Sequence, residues 1–166
     1  SCATESTLAA KPEDAGTQSL AVFTVPRPPK IGVEKYLIND ELENCLLSCG
    51  EHFYVALDGG FDEQHTAATC AIAWRTVEHG RQVIGMELEA ASTPYDAELC
   101  ALHWLCTHIA KIAARIHCQV WIAMDCQSIV DQLNPSDGVV VLPKYNFRTF
   151  RLAHNLRSSL DYQVMH

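Results

Sequence analysis

Residues 52–89 carry three strand-like runs joined by turns too short for any pairing but an antiparallel one. The runs are 52–59, about 66–75 and about 81–89, and the tripeptide EHG at 78–80 marks the second turn. A meander of this kind has an apolar face that another element must cover. The next segment supplies the cover. Thr93 suits an N-cap, Pro94 the first helical position, and Asp96 stands three residues after the cap. Leu102, Leu105, Ile109 and Ile112 then recur at helical spacing, which predicts a helix to about residue 116. QVWIAM at 119–124 reads as a fourth strand. Residues 126–133 read as a short helix ended by NPSDG, and 146–160 as an amphipathic helix. YQVMH at 162–166 reads as the beginning of a fifth strand. The order βββαβα(α)β predicts an α/β sandwich on a mixed sheet.

This domain is expected to span residues 51–166, with 1–50 as an N-terminal arm. Residues 1–20 are rich in Ala, Thr, Ser and acids and are expected to be flexible. Val25–Lys30 is extended by its prolines, and Leu37, Leu42, Leu46 and Leu47 have the spacing of a short helix. A length of 166 residues suits one core. The net charge of −8 disfavours non-specific nucleic-acid binding, which needs Lys and Arg, but leaves room for a local basic face. No run reaches the roughly 18 apolar residues of a membrane span, and residues 1–18 lack the charged and apolar regions of a signal peptide. The expectation is an intracellular protein, nuclear or cytoplasmic and not secreted, with no membrane contact. The eight cysteines form no CxxC pair and read as reduced and mostly structural. Cys100, His103 and Cys106 fall close together on one helix, but no fourth ligand is evident.

Three carboxylates stand where a packed fold would have to compensate them. Asp58 ends an apolar strand and is followed by Gly59 and Gly60. Glu98 lies one helical turn before Leu102, at the head of the core-facing stripe. It reads either as a capping or snorkelling Glu near a favourable helix dipole, or as a site residue. Asp125 follows the fourth strand, either as the N-cap of the next helix or as a site residue at a strand's carboxyl edge. A right-handed crossover tends to lay the fourth strand parallel and adjacent to the first. That would bring all three acids to one sheet edge. Such a cluster repels itself and suits hard divalent cations, Mg²⁺ or Mn²⁺, two of which could drive phosphodiester hydrolysis.

In this order and spacing, ALDGGF, YDAELCAL and IAMDCQSIVDQL resemble the ribonuclease H family, especially the domains linked to retroelement reverse transcriptases. The resemblance covers about residues 51–166. It implies a ribonuclease H-like fold, a five-stranded mixed sheet flanked by helices. It also implies two-metal cleavage of the RNA strand of an RNA–DNA hybrid. By resemblance Asp58 is the metal-bridging carboxylate, and Glu98 and Asp125 are the other catalytic ligands. Gln127 matches a position that touches the minor groove of the hybrid. Gly59 and Gly60 would let a nucleic-acid backbone approach the sheet edge. The family's last helix, with a fourth acid, and its loop histidine are absent from a sequence that ends at His166, so the domain reads as truncated at its fifth strand.

The other reading is a ribonuclease H-like domain without catalysis, acting as a binding or assembly module. Another chain or domain would then complete its sheet edge or its missing helix. A different nuclease of the same superfamily is a third reading, which the Glu on the helix after three antiparallel strands disfavours. On the last predicted helix Arg148 and Arg151, with Lys144 before it, could touch phosphate, although a solvated face is the simpler reading. Trp74, Trp104 and Trp121 read as core, and His103 and His108 as structural or surface residues.

Overall fold

The computed structural model describes residues 20–23, 36–89, 91, 93–135, 140–143, 147–159 and 162–166. Residues 1–19 of the segment 1–20 expected to be flexible, the proline arm Val25–Lys30 and Lys144 lie outside them. Strands β1 (Leu20–Phe23) and β6 (Val140–Pro143) form a small parallel pair, in register from Leu20–Val140 to Phe23–Pro143. The main sheet holds β2 (His52–Asp62), β3 (Ala67–Thr76), β4 (Gly80–Leu88), β5 (Gln119–Met124) and β7 (Tyr162–Met165) in the order β4-β3-β2-β5-β7. β2, β3 and β4 are antiparallel neighbours, whereas β5 pairs parallel with both β2 and β7. The predicted mixed five-stranded sheet is therefore present.

The crossover between β4 and β5 is α2 (Pro94–Ile112). The Thr93 hydroxyl accepts from the Asp96 N–H at 3.1 Å, so the cap is the one expected. α2 ends four residues earlier than predicted, in a 3₁₀ turn at Ala113–Arg115. Leu99, Leu102, Leu105 and Ile109 are buried between α2 and the sheet, facing Phe53, Val55, Leu57, Val120 and Ile122. α3 (Gln127–Leu133) and α4 (Phe147–Ser159) complete the helices, with Phe150 and Leu156 of α4 in the core. Among the described residues no helix is long and apolar enough to cross a membrane.

The helix expected in the arm is α1 (Asp40–Ser48), capped by Asn39, whose side chain accepts from the Leu42 N–H at 2.8 Å. It belongs to the same packed body. Leu42 and Leu46 are 0% exposed within the main core. The Trp104 indole N–H donates to the Leu37 carbonyl at 2.7 Å. The buried His108 uses both ring nitrogens: Nε2 accepts from the Asn39 N–H at 2.9 Å, and Nδ1 lies 3.0 Å from the Trp104 carbonyl. The neutral Nδ1–H tautomer satisfies both contacts. Lys111 and Glu43 close the contact at 3.2 Å.

The opposite face of the sheet is different. β2 alternates, with Phe53, Val55 and Leu57 buried while Tyr54, Ala56 and Asp58 are exposed. Trp121 stacks on Tyr54 at 6.1 Å, and its indole N–H donates to His52 Nδ1 at 3.1 Å. Trp74 and Trp104 are core residues as expected, but Trp121 is only half-buried and stands on this outer face. Register places Ala56 level with Ala123 and Met165 on one side and with Ala73 and Val83 on the other.

Removing a side chain that fills the α1–α2 interface should weaken the whole body. Leu46→Ala is expected to lower unfolding stability by about 2–5 kcal/mol, in a single urea transition. A separate early transition for the α1 region would show that α1 is not part of the core.

Candidate active site

The parallel register of β2 and β5 runs from His52–Gln119 to Leu57–Met124. The next residue on each strand is an acid, so Asp58 and Asp125 emerge side by side at one edge of the sheet. Both are exposed, and the Asp125 side chain retains 91% of its accessible surface. Asp125 does not cap α3. The N-cap is Cys126, which makes no side-chain cap bond. The capping reading of Asp125 is thereby removed.

Glu98 reaches the same edge from the other layer. It is the fifth residue of α2, one turn past the cap, and only 5% exposed. It therefore neither caps the helix nor snorkels to water. What lets it reach the strand is Gly59. A Cβ on Gly59 would overlap the Ala97 carbonyl carbon and the Glu98 nitrogen, and would lie 2.6 Å from the Ala97 oxygen. The α2 backbone is thus seated directly on β2. From that seat the Gly59 N–H lies near enough to the Glu98 carboxylate to favour its charged form.

The remaining environment of Glu98 is unfavourable to charge. Its Oε2 is buried and has no hydrogen-bond partner. Burial, followed by repulsion from Asp58 and Asp125, pushes its pKa up from 4.5 to about 7, against the opposing influence of the Gly59 N–H. Glu98 is thus close to half protonated near neutral pH. Among the described residues no three His, Cys, Asp or Glu side chains stand close enough to hold a metal ion as placed. The three acids share one edge and one electrostatic field without forming a closed cage. An orphaned carboxylate oxygen facing two further carboxylates nevertheless fits a hard divalent cation, which would replace the missing partner and cancel the repulsion.

The other sequence-derived positions fare differently. At Gly59 a side chain would collide with the α2 backbone, so its absence also serves the packing of α2. Gly60 is exposed, and a Cβ there would lie 3.1 Å from the Thr69 hydroxyl, a tight but open position. Gln127 is exposed at the start of α3, and its amide donates to Asp131 at 2.6 Å. Arg151 is exposed on α4, whereas the side chains of Arg148 and Arg157 lie outside the described residues. Cys100 and Cys106 are buried in α2, and His103 contacts the Thr149 hydroxyl at 2.8 Å. One residue was missed. His166 Nε2 lies 3.5 Å from Asp125 Oδ1, because β7 pairs with β5 and ends beside it. The fifth-strand reading was the available signal, and it could not state the register.

Comparison with known proteins agrees with this architecture. No protein-family model and no curated protein matches the sequence. Solved structures do match. One is LC11 RNase H1 in complex with an RNA/DNA hybrid, at TM-score 0.54 and 15% identity, over 69% of this chain and 83% of that one. A second structure of LC11 RNase H1, isolated from compost by a metagenomic approach, matches at TM-score 0.54 and 16% identity over the same shares. RNase H1 of the halophilic archaeon Halobacterium salinarum covers the same shares at 16% identity and TM-score 0.49. The chain has the ribonuclease H-like fold.

Two outcomes follow from the site. Gly59→Ala must displace α2 from β2 and should destabilise the protein by roughly 3 kcal/mol or more, as read by denaturant unfolding. A comparable loss at Gly60→Ala would contradict the seating of α2 on Gly59. The pH dependence has a definite sign. Folded Glu98 holds a proton between pH 4.5 and about 7 that the unfolded chain has released, so its contribution to stability falls as pH rises through this window. Without divalent ions, Glu98→Gln should match the wild type near pH 4.5 and exceed it by roughly 2–3 kcal/mol at pH 8. Parallel stability–pH curves for the two proteins would refute the assignment.

Proposed function

We propose that this chain is a ribonuclease H-type endonuclease that hydrolyses the RNA strand of RNA–DNA hybrids with divalent cations. The observation that carries this reading is Glu98, a buried carboxylate with an unpartnered oxygen facing two strand-end acids, within a ribonuclease H-like fold. The hybrid bound by LC11 RNase H1 supports the substrate class. The motifs ALDGGF, YDAELCAL and IAMDCQSIVDQL support a relation to retroelement-associated domains.

Asp58, Glu98 and Asp125 would hold two divalent ions, Mg²⁺ or Mn²⁺. Bound there, the ions would supply Lewis acidity to the phosphodiester and to the attacking water. The protein's own part is positioning. β2 and β5 hold two carboxylates at adjacent strand ends, and α2 holds the third from the opposite layer. The Gly59 N–H, close to Glu98, favours its charged form. Gly60 and Gln127, both exposed near the acids, are the proposed contacts to the nucleic-acid backbone and its 2′-hydroxyls.

A second reading has its own observation. Tyr54 is 57% exposed, Val83 53% and Met165 38%, on one face of the sheet by strand register. A sheet face with exposed Tyr54, Val83 and Met165 suits a binding or assembly module that has no need of catalysis.

The test is cleavage of a labelled RNA–DNA hybrid in Mg²⁺ or Mn²⁺, alongside calorimetric titration of each ion. Ion-dependent scission of the RNA strand is expected, and Asp58→Asn should reduce it by roughly 100-fold or more. No cleavage and no ion binding, together with a stable stoichiometric complex by light scattering, would favour the binding module.

A further inference from the structure

Two thiols meet at the end of the molecule away from the acids. Cys49 is the C-cap residue of α1, and its N–H donates to the Cys45 carbonyl at 3.1 Å. Cys118 immediately precedes β5. The segments that carry them are tied together, since the Gln119 N–H donates to the Glu51 carbonyl at 2.8 Å and His52 is in register with Gln119. Each sulfur also contacts the partner's neighbourhood. Cys118 Sγ lies 3.8 Å from the Leu46 carbonyl, in the last turn of α1, and Cys49 Sγ lies 3.2 Å from the His52 carbonyl at the start of β2. The two thiols are close enough for Cys49 to shift the ionisation of Cys118. Thiols on segments tied together in this way are candidates for a disulfide of about 2.05 Å.

We propose that Cys49 and Cys118 are an oxidisable pair that forms a disulfide with a peroxide-class oxidant and locks α1 onto the start of β5. The chemistry balances in two steps. The Cys49 sulfur attacks hydrogen peroxide, giving a sulfenic acid and one water. The Cys118 sulfur then displaces the hydroxyl from Cys49, forming the S–S bond and releasing a second water as its proton is transferred. Peroxide is reduced by two electrons, and the two thiols supply them. Exposure assigns the order, because Cys49 is partly exposed and Cys118 is buried. Burial and the neighbouring Cys49 push the Cys118 thiol up to about 11, which makes it the slower, resolving partner.

The bond would close a loop of about 70 residues, which the chain-entropy relation makes strongly stabilising. It would join α1 to the opposite end of the strand that leads to Asp125, so it would act on the attachment of α1 and not on the acids themselves.

The test is treatment of the full chain with hydrogen peroxide, then non-reducing proteolysis and mass spectrometry beside thermal unfolding. A linked pair of peptides containing Cys49 and Cys118, two hydrogen masses lighter than the separate peptides, is expected. The oxidised protein should melt roughly 5–15 °C higher, and dithiothreitol should reverse the shift. Cys118→Ala should abolish both the linked peptides and the shift. Pairing of Cys49 with Cys45, or a sulfinic acid at Cys49 beside an intact Cys118 thiol, would overturn the pairing. A Cys49–Cys118 bond with no change in melting would overturn the lock.

Discussion

The missing side chain at Gly59 lets the backbone of α2 rest directly on β2, and the geometry of the acidic edge depends on that contact. A Cβ at this position has no place to go, because the Ala97 carbonyl and the Glu98 nitrogen already fill the space. Close seating places Glu98 beside a strand in the other layer, within reach of the Gly59 N–H. The parallel pairing of β2 and β5 then sets Asp58 and Asp125 beside it. Local choices at Thr93 and Pro94 start the helix at the right residue for this to happen. Two layers and three elements therefore converge through one residue that contributes no side chain.

The convergence carries an electrostatic cost. A carboxylate withdrawn from water, with an oxygen that finds no donor and two like charges nearby, is held partly protonated at neutral pH. Structural acids are seldom left in this condition, and perturbed groups of this kind concentrate at functional sites. Several other buried polar groups are satisfied, although the buried Trp74 indole N–H, like Glu98 Oε2, finds no hydrogen-bond partner. His108 has a partner on each ring nitrogen, and Trp104 donates to Leu37. What sets Glu98 apart is that its unsatisfied oxygen belongs to an acid repelled by Asp58 and Asp125, which points to a ligand that supplies positive charge.

Much of this was legible in the sequence because it rests on periodicity and punctuation. The strands after residue 51 follow from alternating apolar runs, and the start of α2 from Thr93 and Pro94. Glu98 stood out because a charge headed an apolar stripe. Other features needed contacts between distant residues. β1 and β6 are four residues each and pair across about 120 positions, which no local pattern reports. The apolar spacing of α1 was visible, but its burial against Trp104 and His108 was not. Trp121 read as core because alternation shows that a strand has two faces without showing which one is covered. Gly59 was picked out for the approach of a ligand, and the collision of any side chain there with the α2 backbone was not legible. Asp125 read from sequence as an N-cap or a site residue, and the structure places the N-cap one residue later, at Cys126.

The ionisation of Glu98 is the quantity on which the site stands. It can be followed directly by carbon-13 NMR of the Glu98 side-chain carboxyl across pH, first without divalent ions and then with saturating Mg²⁺. A midpoint near 7 that falls well below 7 when Mg²⁺ is present is the expected result. An ordinary midpoint near 4.5, unmoved by the ion, would mean that the three acids neither interact nor form a cation site.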